Sequence, residues 1–254
     1  MQIFEQSQVS TDETTLFCIH NDDVKIICLD SGTTIAQLSQ TNNEDEPVSE
    51  VISCFCIHPS KPEVVVATQN SLLRHWRFGS NHVLTGEIDE QVTAVDDKGL
   101  DQYQGEKECI RSIRGHNMPV LCMCFDATGT LVATGSADRT IRVWDISKGF
   151  CTHIFRDHTD IIQKITFHPD PQRLLLISCS DDKTVRVFDL RDQCCVAVFK
   201  DHLASPTDVA FSCSGYLMAS CGRDKVRILY FTVSCFTEVS LLFSCLYTYG
   251  LVKI

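Results

Sequence analysis

His116, Ser136 and Asp138 are the residue types of a serine hydrolase. In such a site a histidine takes the serine proton and an aspartate fixes the histidine's tautomer. The same types return along this chain. His158 is followed by Ser180 and Asp182, and His202 by Asp224, with Gly222 in the serine's place. The histidines are 42 and 44 residues apart, the aspartates 44 and 42. A catalytic constellation is needed once; one that returns in register and decays is part of the architecture. The spacing predicts a structural network in which the turn aspartate, the loop histidine, the strand serine and the indole N–H of Trp144 satisfy one another. Phe188 stands for the tryptophan in the second copy, and His202 and Asp224 remain in the third. Mutual hydrogen bonding is the cheap way to bury polar side chains in an apolar wedge. No catalytic residue is assigned. There is no Gly-x-Ser-x-Gly and no Gly-x-x-x-x-Gly-Lys-Ser/Thr loop, so neither a nucleophile elbow nor a phosphate cradle is written here. Neither a cofactor nor a small-molecule substrate is expected.

The elements that must position these residues are short strands. Val120–Phe125, Leu131–Ser136 and Thr140–Asp145 are apolar, rich in β-branched residues and separated by turn residues, with Cys151–Arg156 as an outer strand; this is the pattern of an all-β array. Ile161–Phe167, Leu174–Cys179, Val185–Leu190 and Cys194–Phe199 repeat the layout. Val51–His58, Val64–Thr68 and Leu72–Phe78 give an earlier copy with Trp76 near the usual tryptophan place. Leu16–His20, Val24–Leu29 and Thr34–Leu38 give most of a first one, its opening strand drawn from Gln2–Val9. Arg142, Arg186 and Arg227 are read as sharing the outward position of the third strand, as ordinary solvated residues or as a basic row.

The net charge of −11 is uneven. Residues 1–114 hold 8 basic and 19 acidic side chains, whereas residues 115–230 hold 13 of each. That is not the basic stripe of a protein that grips nucleic acid through phosphates. Residues 79–108 carry eight acids and little periodicity, which reads as a solvated acidic insertion between two strands. Residues 231–254 are apolar at 15 of 24 positions but carry Glu238 in their interior. They read as a tail outside the repeat pattern, too interrupted to span a membrane.

Fifteen cysteines suggest a disulfide scaffold, but the number is odd and the cysteines sit inside strand patterns, as in Ser53-Cys54-Phe55-Cys56-Ile57. There they behave as small buried hydrophobes. With no leader pattern at the first residues, a reducing compartment is expected. No Cys-x-x-Cys pair occurs, so no metal site is expected.

A His…Trp-Asp sentence recurring at about 40–45 residues identifies the chain as a member of the WD-repeat family. The resemblance implies one four-stranded propeller blade per repeat. It also implies a partial propeller over residues 1–230, about five blades in an incomplete or open ring. A narrower resemblance rests on Phe167-His168-Pro169-Asp170-Pro171-Gln172-Arg173-Leu174-Leu175-Leu176 and Ser220-Cys221-Gly222-Arg223-Asp224-Lys225. Leu131-Val132-Ala133-Thr134-Gly135 and the early Leu16-Phe17-Cys18 also contribute. These stretches resemble the N-terminal propeller of transducin-beta-like WD proteins of the small-subunit processome. That implies a non-enzymatic scaffold of the nucleus and nucleolus, a subunit of a snoRNP assembly acting in ribosome biogenesis and rRNA processing. Its partners would be protein subunits of a large ribonucleoprotein assembly, with weak or indirect contact to small nucleolar RNA or pre-rRNA and none to membrane. A substrate receptor or signalling scaffold of another complex is the alternative.

Overall fold

The computed structural model describes residues 7–10, 13, 15–20, 23–29, 32, 34–38, 51–78 and 107–231. The chain forms two compact units, Met1–Gly115 and His116–Ile254. The first unit has two four-stranded antiparallel sheets. One is β1 (Ser7–Val9), β2 (Thr15–His20), β3 (Asp23–Cys28) and β4 (Thr34–Leu38); the other is β5 (Ile52–Ile57), β6 (Glu63–Thr68), β7 (Leu72–Phe78) and β8 (Lys107–Arg114). The second unit has three sheets. They are β9 (Val120–Phe125), β10 (Leu131–Ser136), β11 (Ile141–Asp145) and β12 (Phe150–Phe155); β13 (Ile162–Phe167), β14 (Leu175–Ser180), β15 (Val185–Asp189) and β16 (Cys194–Phe199); and a three-stranded β17 (Pro206–Phe211), β18 (Leu217–Gly222) and β19 (Arg227–Phe231). In each sheet the strands pair in chain order. The fold is all-β, made of five blades of the β-propeller class.

The blades repeat in their irregularities as well as their strands. Ser53, Leu121, Gln163 and Thr207 are each the extra residue of a bulge near the start of the first strand. A second bulge falls where the third strand meets the fourth, before Trp76, Trp144 and Phe188. Bulges raise local twist, which a wedge-shaped blade requires. The tight turn between second and third strands puts Ser71, Arg139, Lys183 and Lys225 in left-handed backbone, with φ between 63° and 68°.

Strands pack through alternating apolar faces. In the first unit Phe17, Ile26, Phe55, Val66 and Trp76 form the core between the two sheets. In the second unit Ile141, Val143, Phe155, Ile165 and Phe188 fill one interface, and Leu175, Val187, Val209 and Met218 the next. Polar bridges supplement the packing: His153 Nε2 meets the Leu190 carbonyl at 2.9 Å, and His168 Nε2 meets the Gly215 carbonyl at 3.2 Å.

Two sequence readings need correction. Lys107 and Glu108 belong to β8 rather than to the acidic insertion, because the hairpin runs on past Trp76 to pair Glu108 with Arg77 and Lys107 with Phe78. Their charges are those of an outermost strand. The rest of that insertion, residues 79–106, lies outside the described residues, as do residues 232–254 of the apolar tail. Arg227 does not share the place of Arg142 and Arg186. Those two pair with Thr134 and Ser178, whereas Arg227 pairs with Cys221, the counterpart of Gly135 and Cys179. Arg227 therefore stands in the register of Ile141 and Val185, and Ile228 takes the arginine place. A one-residue offset moves a strand residue to the opposite face.

Candidate functional site

Each blade of the second unit holds a histidine at the head of its first strand and an aspartate in its tight turn. His116 Nδ1 meets Asp138 Oδ2 at 2.9 Å, His158 meets Asp182 at 2.8 Å, and His202 meets Asp224 at 2.9 Å. The carboxylates also cap their turns. Asp138 accepts from the Asn117 N–H, from the Thr140 N–H and, at 2.6 Å, from the Thr140 hydroxyl. Asp182 does the same with Thr159 and Thr184.

The hydroxyl on the far side of the histidine differs from the sequence reading. His116 Nε2 meets Thr134 Oγ1 at 2.8 Å, His158 Nε2 meets Ser178 Oγ at 2.7 Å, and His202 Nε2 meets Ser220 Oγ at 2.8 Å. Ser136 and Ser180, two residues further on, have another task. Ser136 donates to the Met118 and Pro119 carbonyls and accepts from the Asp138 N–H; Ser180 donates to the Asp160 carbonyl and accepts from the Asp182 N–H. They pin the end of the second strand to the loop carrying the histidine. Gly222 lacks only that pin, and the histidine of the fifth blade keeps its hydroxyl. The two serine places share a strand face, since they are two residues apart. Alternation alone could not choose between them.

Donor and acceptor logic closes the network. Burial pushes the Asp138 carboxyl upward, but hydrogen bonds from His116 and Thr140 outweigh it and hold it well below the usual carboxylate range. The same balance, with His158 and Thr184, lowers Asp182. In Asp224 burial is outweighed by His202 and by the Val226 and Leu203 N–H groups. An ionised aspartate only accepts, so the histidine Nδ1 carries the proton. With a neutral ring, Nε2 accepts the Thr134 hydroxyl proton, and Thr134 in turn accepts the Trp144 indole N–H at 2.9 Å. In the fourth blade Phe188 supplies no such donor. In the fifth, Tyr230 holds the place, and burial raises its pKa to about 12.

Ser178, His158 and Asp182 thus have the distances of a hydrolytic triad. Access decides against hydrolysis. Thr134 and Ser178 are 0 % exposed and Ser220 3 %, so no acyl carbon can reach the hydroxyls. The Cys124 and Cys179 thiols meet a related obstacle: burial pushes them up to about 12, away from the reactive thiolate.

Of the three arginines read as ordinary solvated residues or as a basic row, Arg142 and Arg186 lie on the Trp144 and Phe188 faces of their strands. Arg186 Nε donates to Thr184 Oγ1 at 3.2 Å, while the buried Arg142 Nε has no partner. Arg74, two residues before Trp76, holds the same register in the second blade. Counting back from the tryptophan finds it.

One buried polar cluster was not anticipated. Glu63, 5 % exposed, accepts from His75 Nε2 at 3.0 Å and from Arg77 Nε at 3.0 Å. Burial opposes the Glu63 charge, yet Arg77 and His75 hold its pKa below the ordinary value. Burial also lowers His75, outweighing Glu63, so the ring is kept neutral. By register with Trp76, these residues stand where blades three and four carry Leu131 and Val143, and Leu175 and Val187. The only signal was a glutamate opening the run Glu63-Val64-Val65-Val66.

The WD domain, G-beta repeat family matches residues 107–145, 149–189 and 193–226. Each match begins at or just before a fourth strand and runs into the next blade, one strand out of phase with the sheets. The chain is similar to Transducin beta-like protein 3 of Bos taurus, 32% identical over 229 residues, covering 89% of this chain and 25% of that protein. It is also similar to Transducin beta-like protein 3 of Homo sapiens, 34% identical over 220 residues, covering 87% and 23%. A shorter similarity, 35% over 72 residues, covers 28% of this chain and 10% of the Ribosome biogenesis protein BOP1 homolog of Oryza sativa subsp. japonica. The chain spans about a quarter of the length of its transducin-beta-like relatives. The repeats, their register and these relatives agree: the chain carries WD40 repeats, folded as blades of the β-propeller class.

Proposed function

We propose that this chain is a non-enzymatic protein-interaction scaffold in ribosome biogenesis, acting as a subunit of the nucleolar small-subunit processome during pre-rRNA processing. The observation that carries the scaffold role is the sealing of the His-hydroxyl-Asp networks, which leaves blade surface as what the chain offers to others. Similarity to Transducin beta-like protein 3 over 85% or more of the chain supports the assignment to ribosome biogenesis, as does the shorter similarity to a ribosome biogenesis protein. Its partners are other protein subunits of a ribonucleoprotein assembly. The even charge balance of residues 115–230 makes contact with small nucleolar RNA or pre-rRNA weak or indirect.

The test is to express the tagged chain and fractionate nuclear extract on a gradient. Co-sedimentation with pre-ribosomal particles carrying small nucleolar RNA, together with accumulation of unprocessed pre-rRNA on depletion, is expected. Association with an unrelated complex and unchanged pre-rRNA would overturn the reading.

A further inference from the structure

We propose that Leu203 is an anchor that inserts into an apolar pocket, rimmed by carboxylates, on a partner protein. The proposal rests on the scaffold reading but not on the assignment to ribosome biogenesis. Leu203 is 81 % exposed, yet its backbone is fixed. The Leu203 N–H donates to Asp224 Oδ2 at 3.0 Å, and the Ser205 carbonyl accepts the Arg223 N–H at 2.9 Å. Asp224 is itself held by His202 and by the Val226 N–H. A loop pinned to a buried carboxylate has little ordering left to undergo on binding.

A single exposed leucine is ordinary; comparison of the repeats sets this one apart. The same donation to the turn aspartate is made by the Asn117 N–H in the third blade and the Thr159 N–H in the fourth. Both residues are polar, so the loop geometry does not call for leucine. The tight turn differs as well. Ala137, Asp181 and Arg223 share one place, donating their N–H groups to the loop carbonyls of Pro119, Ile161 and Ser205. Where the third and fourth blades bring asparagine beside alanine and threonine beside aspartate, the fifth brings leucine beside arginine.

Charge around Leu203 selects the partner. Arg223 and Lys225 flank Asp224 in the turn, and Lys200 precedes the loop. All three are exposed, and none forms an ion pair among the described residues. The neighbouring carboxylates are engaged within the protein. Asp224 accepts the bonds above, and Asp181 accepts from the Gln163 amide at 2.8 Å and from the Ser205 hydroxyl. Of these acids and Asp201, only Asp201 is exposed. Three uncommitted cations around an apolar knob match carboxylates around an apolar pocket. Burial of the leucine supplies affinity, and the surrounding cations orient the encounter.

The test places the photo-crosslinking residue p-benzoylphenylalanine at position 203 of the full chain in cells, with the Thr159 position as control. Irradiation is expected to join residue 203, and not residue 159, to one protein, at a peptide that carries aspartate or glutamate beside apolar residues. Leu203→Asp should lower co-purification of that protein by about tenfold or more. Arg223→Glu should lower it by about threefold, an effect that disappears in high salt. Both variants should keep the parent's thermal midpoint, since both side chains are exposed; a midpoint lowered by Leu203→Asp would show that the leucine is packed within the folded chain and would overturn the proposal. Adducts to a second copy of this chain or to RNA, equal labelling from position 159, or co-purification indifferent to Leu203→Asp would also overturn it, without touching the scaffold reading. A chain that co-purifies with no protein would remove both.

Discussion

The Trp144 indole N–H and the Thr134 hydroxyl meet at 2.9 Å, and Thr134 joins that indole to the His116 ring. The three residues lie on different elements, so one hydroxyl ties the third strand, the second strand and the loop before the first. Thr134→Val keeps the shape and removes the hydroxyl. It leaves buried His116 Nε2 and Trp144 N–H unsatisfied, at a cost of about 2–4 kcal/mol. Ser178→Ala in the next blade strands only the histidine, because Phe188 makes no demand, and should cost about 1–2 kcal/mol. A urea series on both variants, with equal losses, would remove Thr134 from the centre of the network.

The turn aspartates make the fold acid-sensitive. Asp138 and Asp182 have folded pKa values below the unfolded value of about 3.9. Their stabilisation is therefore fully present above that pH and is lost as pH falls through it toward the folded values. Asp138→Asn is expected to lower stability at pH 7 and to flatten its decline between about pH 4 and pH 2, below the unfolded pKa. Chemical denaturation at stepped pH checks this; a parallel decline in variant and parent would locate the acid sensitivity elsewhere.

Much of this architecture was legible because it repeats. Spacing of histidines and aspartates announced the last three blades, strand patterning the two before them, and most strand limits fell within a residue or two of those observed. What failed did so for local reasons. Ser136 and Ser180 are both serine and invited the choice, whereas the residues that meet the histidines are Thr134, Ser178 and Ser220, mixed in type. Arg227 was placed by resemblance of its surroundings; counted from the turn, it falls three residues after Asp224, while Arg142 and Arg186 fall four after their aspartates. Glu63 had no repeat partner, so nothing periodic could reveal it.

Gly215 and Gly32 separate backbone strain from crowding. Both have positive φ, 73° and 70°. A Cβ on Gly32 meets nothing within 4 Å, but one on Gly215 runs into the His168 ring, which already bonds the Gly215 carbonyl. Gly32→Ala should cost about 1 kcal/mol from the left-handed backbone alone. Gly215→Ala should cost about 3 kcal/mol, because the ring is buried beside Phe211 and must give way. Thermal unfolding of the two variants measures the difference, and similar losses would show that His168 moves freely.

Glu63 and His75 occupy places that are leucine and valine in the third and fourth blades. A buried charge whose partner is removed is costly, whereas replacing the pair by apolar residues of similar volume is often neutral or better. Glu63→Ala should therefore destabilise by about 3 kcal/mol, since it leaves buried His75 Nε2 without an acceptor and opens space. His75→Val alone leaves the Glu63–Arg77 ion pair, with Arg77 half exposed, and should cost about 1 kcal/mol. The double variant Glu63→Leu/His75→Val rebuilds the diagonal cross-strand neighbours found as Leu131 and Val143. It should match the parent within about 1 kcal/mol or exceed it, so the coupling between the sites is favourable to the double change. Denaturant midpoints of the two singles and the double complete the cycle. Additive losses would mean that the glutamate and histidine stabilise the blade independently, and that the apolar pattern of the later blades does not fit the second.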